Sequence, residues 1–148
     1  MTLPDPRPDS GTVHVRLLAG RAPSGKPVFE VLPAYPLEAG RCELAGSPGL
    51  VLGCAAGDVL DVGEDGGFEV VRQGGNLCVQ AYRPGGFAPG AFADLRNVVG
   101  GLGGSAEAPA DLRFIVVTVG RTGAADTEAA MDAWAASTDG ASWWFGNA

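Results

Sequence analysis

Short hydrophobic runs separated by glycine-rich turns dominate the middle of the chain. Four such runs occupy residues 50–54, 59–62, 68–71 and 77–79. The turns between them contain Gly-Asp, Asp-Gly-Gly and Gly-Gly-Asn, and glycine supplies the positive φ angles that tight hairpin turns require. This pattern predicts a tight antiparallel meander.

The residues before the meander alternate between hydrophobic and polar side chains. Residues 13–18 and 28–32 follow this pattern, and residues 41–44 form a further short run. Because successive side chains of a strand point to opposite faces, the first two segments are predicted to be half-buried strands. Residues 41–44 are predicted to be a short strand.

After Pro84 the hydrophobic spacing becomes helical. Phe92 and Leu95 begin a series at helical intervals, and Pro89 suits the first turn of a helix. The glycines that follow predict the end of this helix. Residues 100–109, which contain four glycines, are predicted to be a flexible loop.

The last part of the chain combines a strand and a second helix. Residues 111–119 contain four consecutive apolar residues, which is typical of a central strand buried on both faces. Asp126 or Thr127 is predicted to be the N-cap of the second helix. Strand runs followed by a helix–strand–helix unit indicate the α+β class, here a twisted antiparallel sheet or small open barrel of about six or seven short strands.

Length and composition favour one domain. The chain has 148 residues, of which 46% are hydrophobic, enough to form a core without disulfides. We place a single α+β domain at residues 12–148. Residues 1–11 are rich in proline and aspartate and are predicted to be a disordered tail.

The charge pattern restricts the classes of partner. The net charge is −7, Lys26 is the single lysine, and the nine arginines are scattered along the sequence. Because nucleic-acid binding needs clustered basic residues, we expect no nucleic-acid partner. The acidity serves solubility, and it also fits an acidic surface for a basic protein or peptide.

Hydropathy and cysteine usage indicate a cytoplasmic protein. No run approaches the length of about 18 apolar residues that a membrane span needs, and the start of the sequence has no apolar segment typical of a signal peptide. Three cysteines, an odd number without CxxC spacing, favour reduced thiols. We therefore expect no membrane association. An exposed edge strand could pair two copies, so both a monomer and a homodimer stay open.

Metal and nucleophile chemistry have few candidate residues. His14 is the single histidine, and Cys42, Cys54 and Cys78 are separated by 12 and 24 residues, unlike the close spacing of zinc ligands. A Ser–His or Cys–His pair would have to use His14, and the chain contains no GxSxG motif. We expect no metal and no cofactor.

Two groups of residues are candidates for a functional site. Asp58 and Asp61 are weak candidates for an acid–base pair, with Arg72 as an electrophile, although Asp58 after a glycine is also typical of a turn. Trp143 and Trp144 are candidates for binding because tryptophan is enriched in binding hot spots, and we add Asn76 from a turn. Alternatively, one indole closes the core and the other flanks it.

The turn motifs are similar to those of a bacterial family. They are Ser47-Pro48-Gly49, Ala56-Gly57-Asp58, Gly66-Gly67-Phe68 and Gly74-Gly75-Asn76. Over residues 28–145 the chain resembles DUF4265, a bacterial domain of unknown function with an N/S-x-P turn, a Gly-Asp before a strand and a later α-β-α tail. The resemblance implies the fold and assigns no catalytic residues.

The scarcity of histidine and of catalytic spacings favours a non-catalytic protein. We expect a binding or interaction protein of the immunity or accessory type. The alternative is a small enzyme or accessory cyclase that acts on a peptide or natural product through carboxylate acid–base chemistry. A regulator that binds a small ligand is a third hypothesis.

Overall fold

Two antiparallel β-sheets and two α-helices make up the part of the chain that the computed structural model describes, residues 11–148. In chain order the elements are β1 (Val13–Arg21), β2 (Pro27–Pro36), β3 (Arg41–Leu44), β4 (Val59–Val62), β5 (Phe68–Arg72), β6 (Asn76–Tyr82), α1 (Pro89–Gly100), β7 (Ser105–Glu107), β8 (Phe114–Gly120), α2 (Ala124–Ala136) and β9 (Ser142–Phe145). The predicted α+β class is confirmed, and within residues 11–148 neither sheet closes into a barrel. Apart from Gly11, the predicted tail lies outside the described residues.

The five-stranded sheet is a meander in which β1 to β5 pair in chain order. Pairing of β1 with β2 begins with Val13 opposite Ala34 and ends with Arg21 opposite Pro27. Both segments are strands, as predicted, and Leu17 lies on the buried face of β1. In β2 the buried residues are Leu32 and Ala34 while Val31 is 58% exposed, so the alternation of Phe29 and Val31 does not mark the buried face. The buried face belongs to a core cluster that contains Leu17, Leu32, Ala34, Cys42, Leu44, Val51, Cys54 and Leu60.

The four-stranded sheet has the order β7-β8-β6-β9, and all its pairs are antiparallel. As predicted, β8 is a central strand. Both helices pack on one face of this sheet. The core cluster on that side includes Leu77, Val79, Ala81, Leu95, Val99, Ile115, Val117, Met131 and Trp134.

The two edge strands of this sheet depart from the sequence-based expectation. The predicted flexible loop at residues 100–109 contains β7, in which Ala106 is buried and pairs with Val117. Strand β9 pairs with β6 at the other edge. Strand β7 has three residues, and the sequence of β9, Ser-Trp-Trp-Phe, shows no alternation of apolar and polar side chains, so neither has a period of two that could be recognised.

The predicted first residue is confirmed for the first helix but not for the second. Helix α1 begins at Pro89 and ends at Gly100, as predicted. Helix α2 begins at Ala124, so the prediction that Asp126 or Thr127 caps it is wrong; Thr127 lies inside the first turn and is buried. Among residues 11–148, neither helix has both the length and the apolar character needed to cross a membrane.

Residues 45–58 connect β3 to β4 and lie against the face of the four-stranded sheet that the helices leave open. We call this segment the covering loop. The strand predicted at residues 50–54 is wrong, because the backbone here is irregular. The Glu30 carboxylate accepts hydrogen bonds from two amides of the run, and the Gly53 amide donates to the Gly146 carbonyl. Backbone groups satisfied in this way need no partner strand.

Candidate functional site

A cleft of about 500 Å³ opens where the start of β2, the covering loop and one end of the four-stranded sheet meet. We call it the aromatic cleft. Its walls include Phe29, Leu50, Tyr82, Arg113, Phe114 and Trp144. Volumes of this size are typical of sites that bind small molecules.

Strand register brings the three aromatic residues of the sheet together. Tyr82 in β6 lies directly opposite Phe114 in β8, and Trp144 in β9 lies opposite Gln80 in β6. Because side chains alternate between faces along a strand, Tyr82, Phe114 and Trp144 all project from the face opposite the helices. The register therefore makes an aromatic wall from residues far apart in sequence.

Gln80 holds the indole of Trp144 in place. Trp144 Nε1 donates a 2.7 Å hydrogen bond to Gln80 Oε1. Gln80 Nε2 donates to the carbonyl oxygens of Pro48 at 3.0 Å and Val51 at 2.8 Å, both in the covering loop. Gln80 is 2% exposed, so each of its polar atoms has a partner within the protein. The indole and the loop are thus fixed by one buried amide.

The Glu30 carboxylate shapes the opposite wall of the cleft. It accepts hydrogen bonds from the amides of Gly49 at 2.7 Å, Leu50 at 2.9 Å and Val51 at 3.0 Å. A Cβ atom at Gly49 would overlap the ring of Phe114. The turn can therefore approach the aromatic wall only with glycine at this position.

The motif residues form a polar network beneath the covering loop. Asp58 accepts hydrogen bonds from the amides of Ala55 at 3.0 Å and Gly74 at 2.8 Å. Asn76 Nδ2 donates to the Ala56 carbonyl at 2.8 Å. Asp58 is 2% exposed and both of its oxygens accept a bond, so its role is to join the loop to the segment before β6.

A close backbone contact reinforces this junction. A Cβ atom at Gly74 would overlap the backbone of Gly57, which has a φ of +91°. Ser47 adds a further link, because its Oγ accepts a 2.9 Å bond from the Ala56 amide and a 2.6 Å bond from the Thr118 hydroxyl. The glycines and small polar residues of the motifs are therefore used for positioning the loop.

The residues proposed for acid–base chemistry do not share a cavity with Arg72. Asp61 is exposed on β4, between Arg41 on β3 and Glu69 on β5. Arg72 ends β5 and lines a groove whose residues include neither Asp58 nor Asp61. Asp58 is buried in the polar network. The arrangement brings these three candidates into no common reaction centre among the described residues.

The two tryptophans have different environments. Trp143 packs against the helix-side core, with its ring edge-on to Phe145 at a centroid distance of 5.2 Å, and its Nε1 donates to Asp132. Trp144 lies in the aromatic cleft with 41% of its surface exposed. Tyr82 was not predicted as a cleft residue. The signal that could have identified it is the alternation within β6, which places Tyr82 on the face opposite the apolar residues Leu77, Val79 and Ala81.

Burial makes the thiols poor nucleophiles. Desolvation raises the pKa of Cys54 and of Cys78 from 9.0 to about 12, and it also raises the pKa of Cys42. Cys78 Sγ donates a 3.2 Å hydrogen bond to the Pro48 carbonyl. In the part of the chain that the structure describes, no group of three or more histidine, cysteine, aspartate or glutamate side chains is arranged to hold a metal.

The motif network and the covering loop fall within a recognised sequence family. The profile of the domain of unknown function DUF4265 matches residues 30–139. The chain belongs to the DUF4265 family. In this DUF4265 protein the matched region contains Glu30, the covering loop and Arg113, and it ends before Trp144.

The fold has a counterpart among solved structures. The DUF4265 chain is similar to a hypothetical protein from Neisseria gonorrhoeae, whose crystal structure is described as novel. The two share 12% sequence identity over 91% of this chain and 94% of that one, with a TM-score of 0.67. A likeness at this identity shows the fold alone. No curated protein matches the sequence significantly.

Proposed function

We propose that this DUF4265 protein is a cytoplasmic, non-catalytic binding protein whose aromatic cleft holds an apolar ligand. The observation that carries the proposal is the exposed apolar surface of the cleft. Tyr82 is 49% exposed, Leu50 is 47% exposed and Trp144 is 41% exposed. Contiguous exposed apolar side chains in a concave surface mark ligand-binding grooves.

The rigidity of the cleft walls supports the same proposal. Gln80 fixes the indole of Trp144, and Glu30 fixes the turn at Gly49. A site that is formed before the ligand arrives avoids the cost of ordering side chains on binding. Tyrosine and tryptophan side chains add large contact areas with few rotatable bonds.

The hydrogen bonds of the candidate catalytic residue Asp58 favour binding over catalysis. Asp58 accepts two backbone hydrogen bonds and is buried, so it has no exposed oxygen to offer a substrate. An immunity or accessory role requires only that a ligand or partner be held. The alternative, a small enzyme or accessory cyclase, would need acid–base groups from outside this network.

A titration with a neutral apolar probe tests the proposal. N-phenyl-1-naphthylamine fluoresces on entering an apolar site, and we expect it to bind the wild-type protein. Trp144→Ala should weaken binding about tenfold or more, because aromatic anchors dominate such sites. Trp144→Phe keeps a ring and should retain most of the affinity.

The matched control is Leu102→Ala, which removes another exposed apolar side chain outside the cleft. We expect unchanged probe binding in this variant. Equal affinity of the probe for Trp144→Ala and wild type would contradict the proposal. Thermal unfolding of each variant shows whether the fold is kept.

A basic protein or peptide as partner stays a prediction from the net charge of −7. The cleft lining contains Arg113 and no acidic residue among the described side chains, so a basic partner would contact another surface. On the β4–β5 hairpin Asp61 lies directly opposite Glu69, and both are exposed. Affinity for a polyarginine peptide that decreases with salt, and that decreases in Asp61→Asn, would support this partner class.

A further inference from the structure

One charged side chain lies in the otherwise neutral lining of the aromatic cleft. Arg113 immediately precedes β8 and is 67% exposed. Its Cζ atom lies 5.5 Å from the centroid of the Phe114 ring, within the range of a cation–π contact. The guanidinium group is thus held beside the aromatic wall that the proposed ligand would contact.

The acidic neighbour of Arg113 compensates its charge only weakly. Arg113 Nε and Asp111 Oδ1 are 3.9 Å apart, which is longer than a hydrogen bond, and Asp111 is 63% exposed. Asp111 Oδ1 also accepts the Arg113 backbone amide at 3.3 Å. Exposed ion pairs of this kind contribute little, so the guanidinium can exchange Asp111 for a ligand.

We infer that the ligand is a small organic anion with an apolar body. This inference rests on the proposed function of the cleft. The apolar body lies against Tyr82, Phe114 and Trp144, and the anionic group accepts hydrogen bonds from Arg113. A guanidinium presents a planar fork of donors that matches a carboxylate, and charge-assisted bonds of this kind are stronger than neutral ones. The cleft volume of about 500 Å³ fits a small molecule.

Two probes that share one ring system separate the apolar and anionic contributions. 8-Anilinonaphthalene-1-sulfonate is N-phenyl-1-naphthylamine with an added sulfonate. The measured quantity is the ratio of the Kd of the anionic probe to the Kd of the neutral probe. In Arg113→Gln this ratio should rise about tenfold over wild type, because only the anionic probe loses a charge-assisted bond, and the ratio cancels any change in the contacts that both probes share. Arg113→Lys keeps the charge and should raise the ratio less.

Arg96 provides the matched control. Its Cζ atom lies 5.6 Å from the Phe92 ring on α1, so it is also an exposed arginine beside a phenylalanine, but it does not line the cleft. Arg96→Gln should leave both Kd values unchanged.

The possible failures are distinguishable. If the ratio in Arg113→Gln equals that of wild type while Trp144→Ala still weakens the neutral probe, the ligand class is wrong and the binding function stands. If Trp144→Ala changes neither Kd, the proposed function fails, and the inference fails with it. A ratio that rises equally in Arg96→Gln shows a general charge effect and overturns the role of Arg113.

Discussion

The two faces of the four-stranded sheet are covered by different means. On one face, Val79 and Val117 pack against two helices through apolar contacts alone. On the other, Gln80 and Thr118 hold the irregular covering loop by hydrogen bonds to specific partners. Apolar packing accepts any partner of suitable shape, whereas buried polar groups require one arrangement. The same strands therefore pack against an apolar core on one face, and on the other face they hold the loop that forms the cleft in one fixed position.

The largest effect should come from breaking the helix side alone. Leu95→Ala removes a fully buried side chain on α1 and should lower the free energy of unfolding by about 3 kcal/mol. Because this residue faces away from the cleft, binding of the neutral probe by the folded protein should be unchanged. Urea denaturation and probe titration measure the two properties.

Val98→Ala is the control on the same helix, where the side chain is 41% exposed, and it should cost about 0.5 kcal/mol or less. A loss of probe affinity in folded Leu95→Ala would show that the two faces are coupled, against our expectation.

On the face covered by the loop, a substitution that keeps the size of a side chain but changes its hydrogen bonding should lower stability. Glu30→Gln keeps the size of the side chain but replaces one oxygen with a donor that faces backbone amides. We expect a loss of about 2 kcal/mol in the free energy of unfolding, because three amides lose part of their acceptor. Unlike Leu95→Ala, this variant should also weaken probe binding. Glu69→Gln, at an exposed position, is the control and should change neither property.

The buried thiols give an effect that is absent at neutral pH and develops only at alkaline pH, where it sharpens the comparison. The pKa of both Cys54 and Cys78 rises from 9.0 to about 12 on burial. Above pH 9 the thiols ionise in the unfolded chain but stay neutral in the folded one. The stabilisation is therefore complete below pH 9 and is lost as the pH rises toward 12, and each thiol adds to the steepness of that loss.

Urea denaturation across this pH range measures the slope. Cys54→Ala should lower stability below pH 9, and above pH 9 its stability should fall less steeply with pH than that of wild type, because one ionising thiol is missing. An identical slope in both proteins would contradict the burial of an un-ionised Cys54.

The sequence predicts elements whose signal is local. Strands β1 and β6 show a clear period of two, and α1 combines helical spacing with Pro89 at its start. The run at residues 50–54 has the composition of a strand, but its amides bond to Glu30, about 20 residues earlier in the chain. A single sequence does not contain that long-range partnership.

The same distinction between local signals and long-range partners applies to the candidate site, of which only some residues could be predicted. Trp144 is named as a binding residue from its chemistry, and it lies in the cleft. Its neighbours Tyr82 and Phe114 reach the site only through the register of β6, β8 and β9, which the sequence does not encode as a local pattern. Asn76 and Asp58, in contrast, are recognisable as turn residues. Asp58, the last residue of the covering loop, accepts the Gly74 amide, and Asn76 donates to Ala56 in that loop.

The hydrogen bond from Trp144 to Gln80 gives the molecule an intrinsic optical reporter. The indole emission depends on the polarity around its nitrogen, and that nitrogen is bonded to the same amide that secures the covering loop. Detachment of the loop from the sheet admits water to this position and shifts the emission to the red. Trp134 and Trp143 lie on the helix side of the sheet and add a constant background, so a red shift of the Trp144 emission would report detachment of the loop without any label.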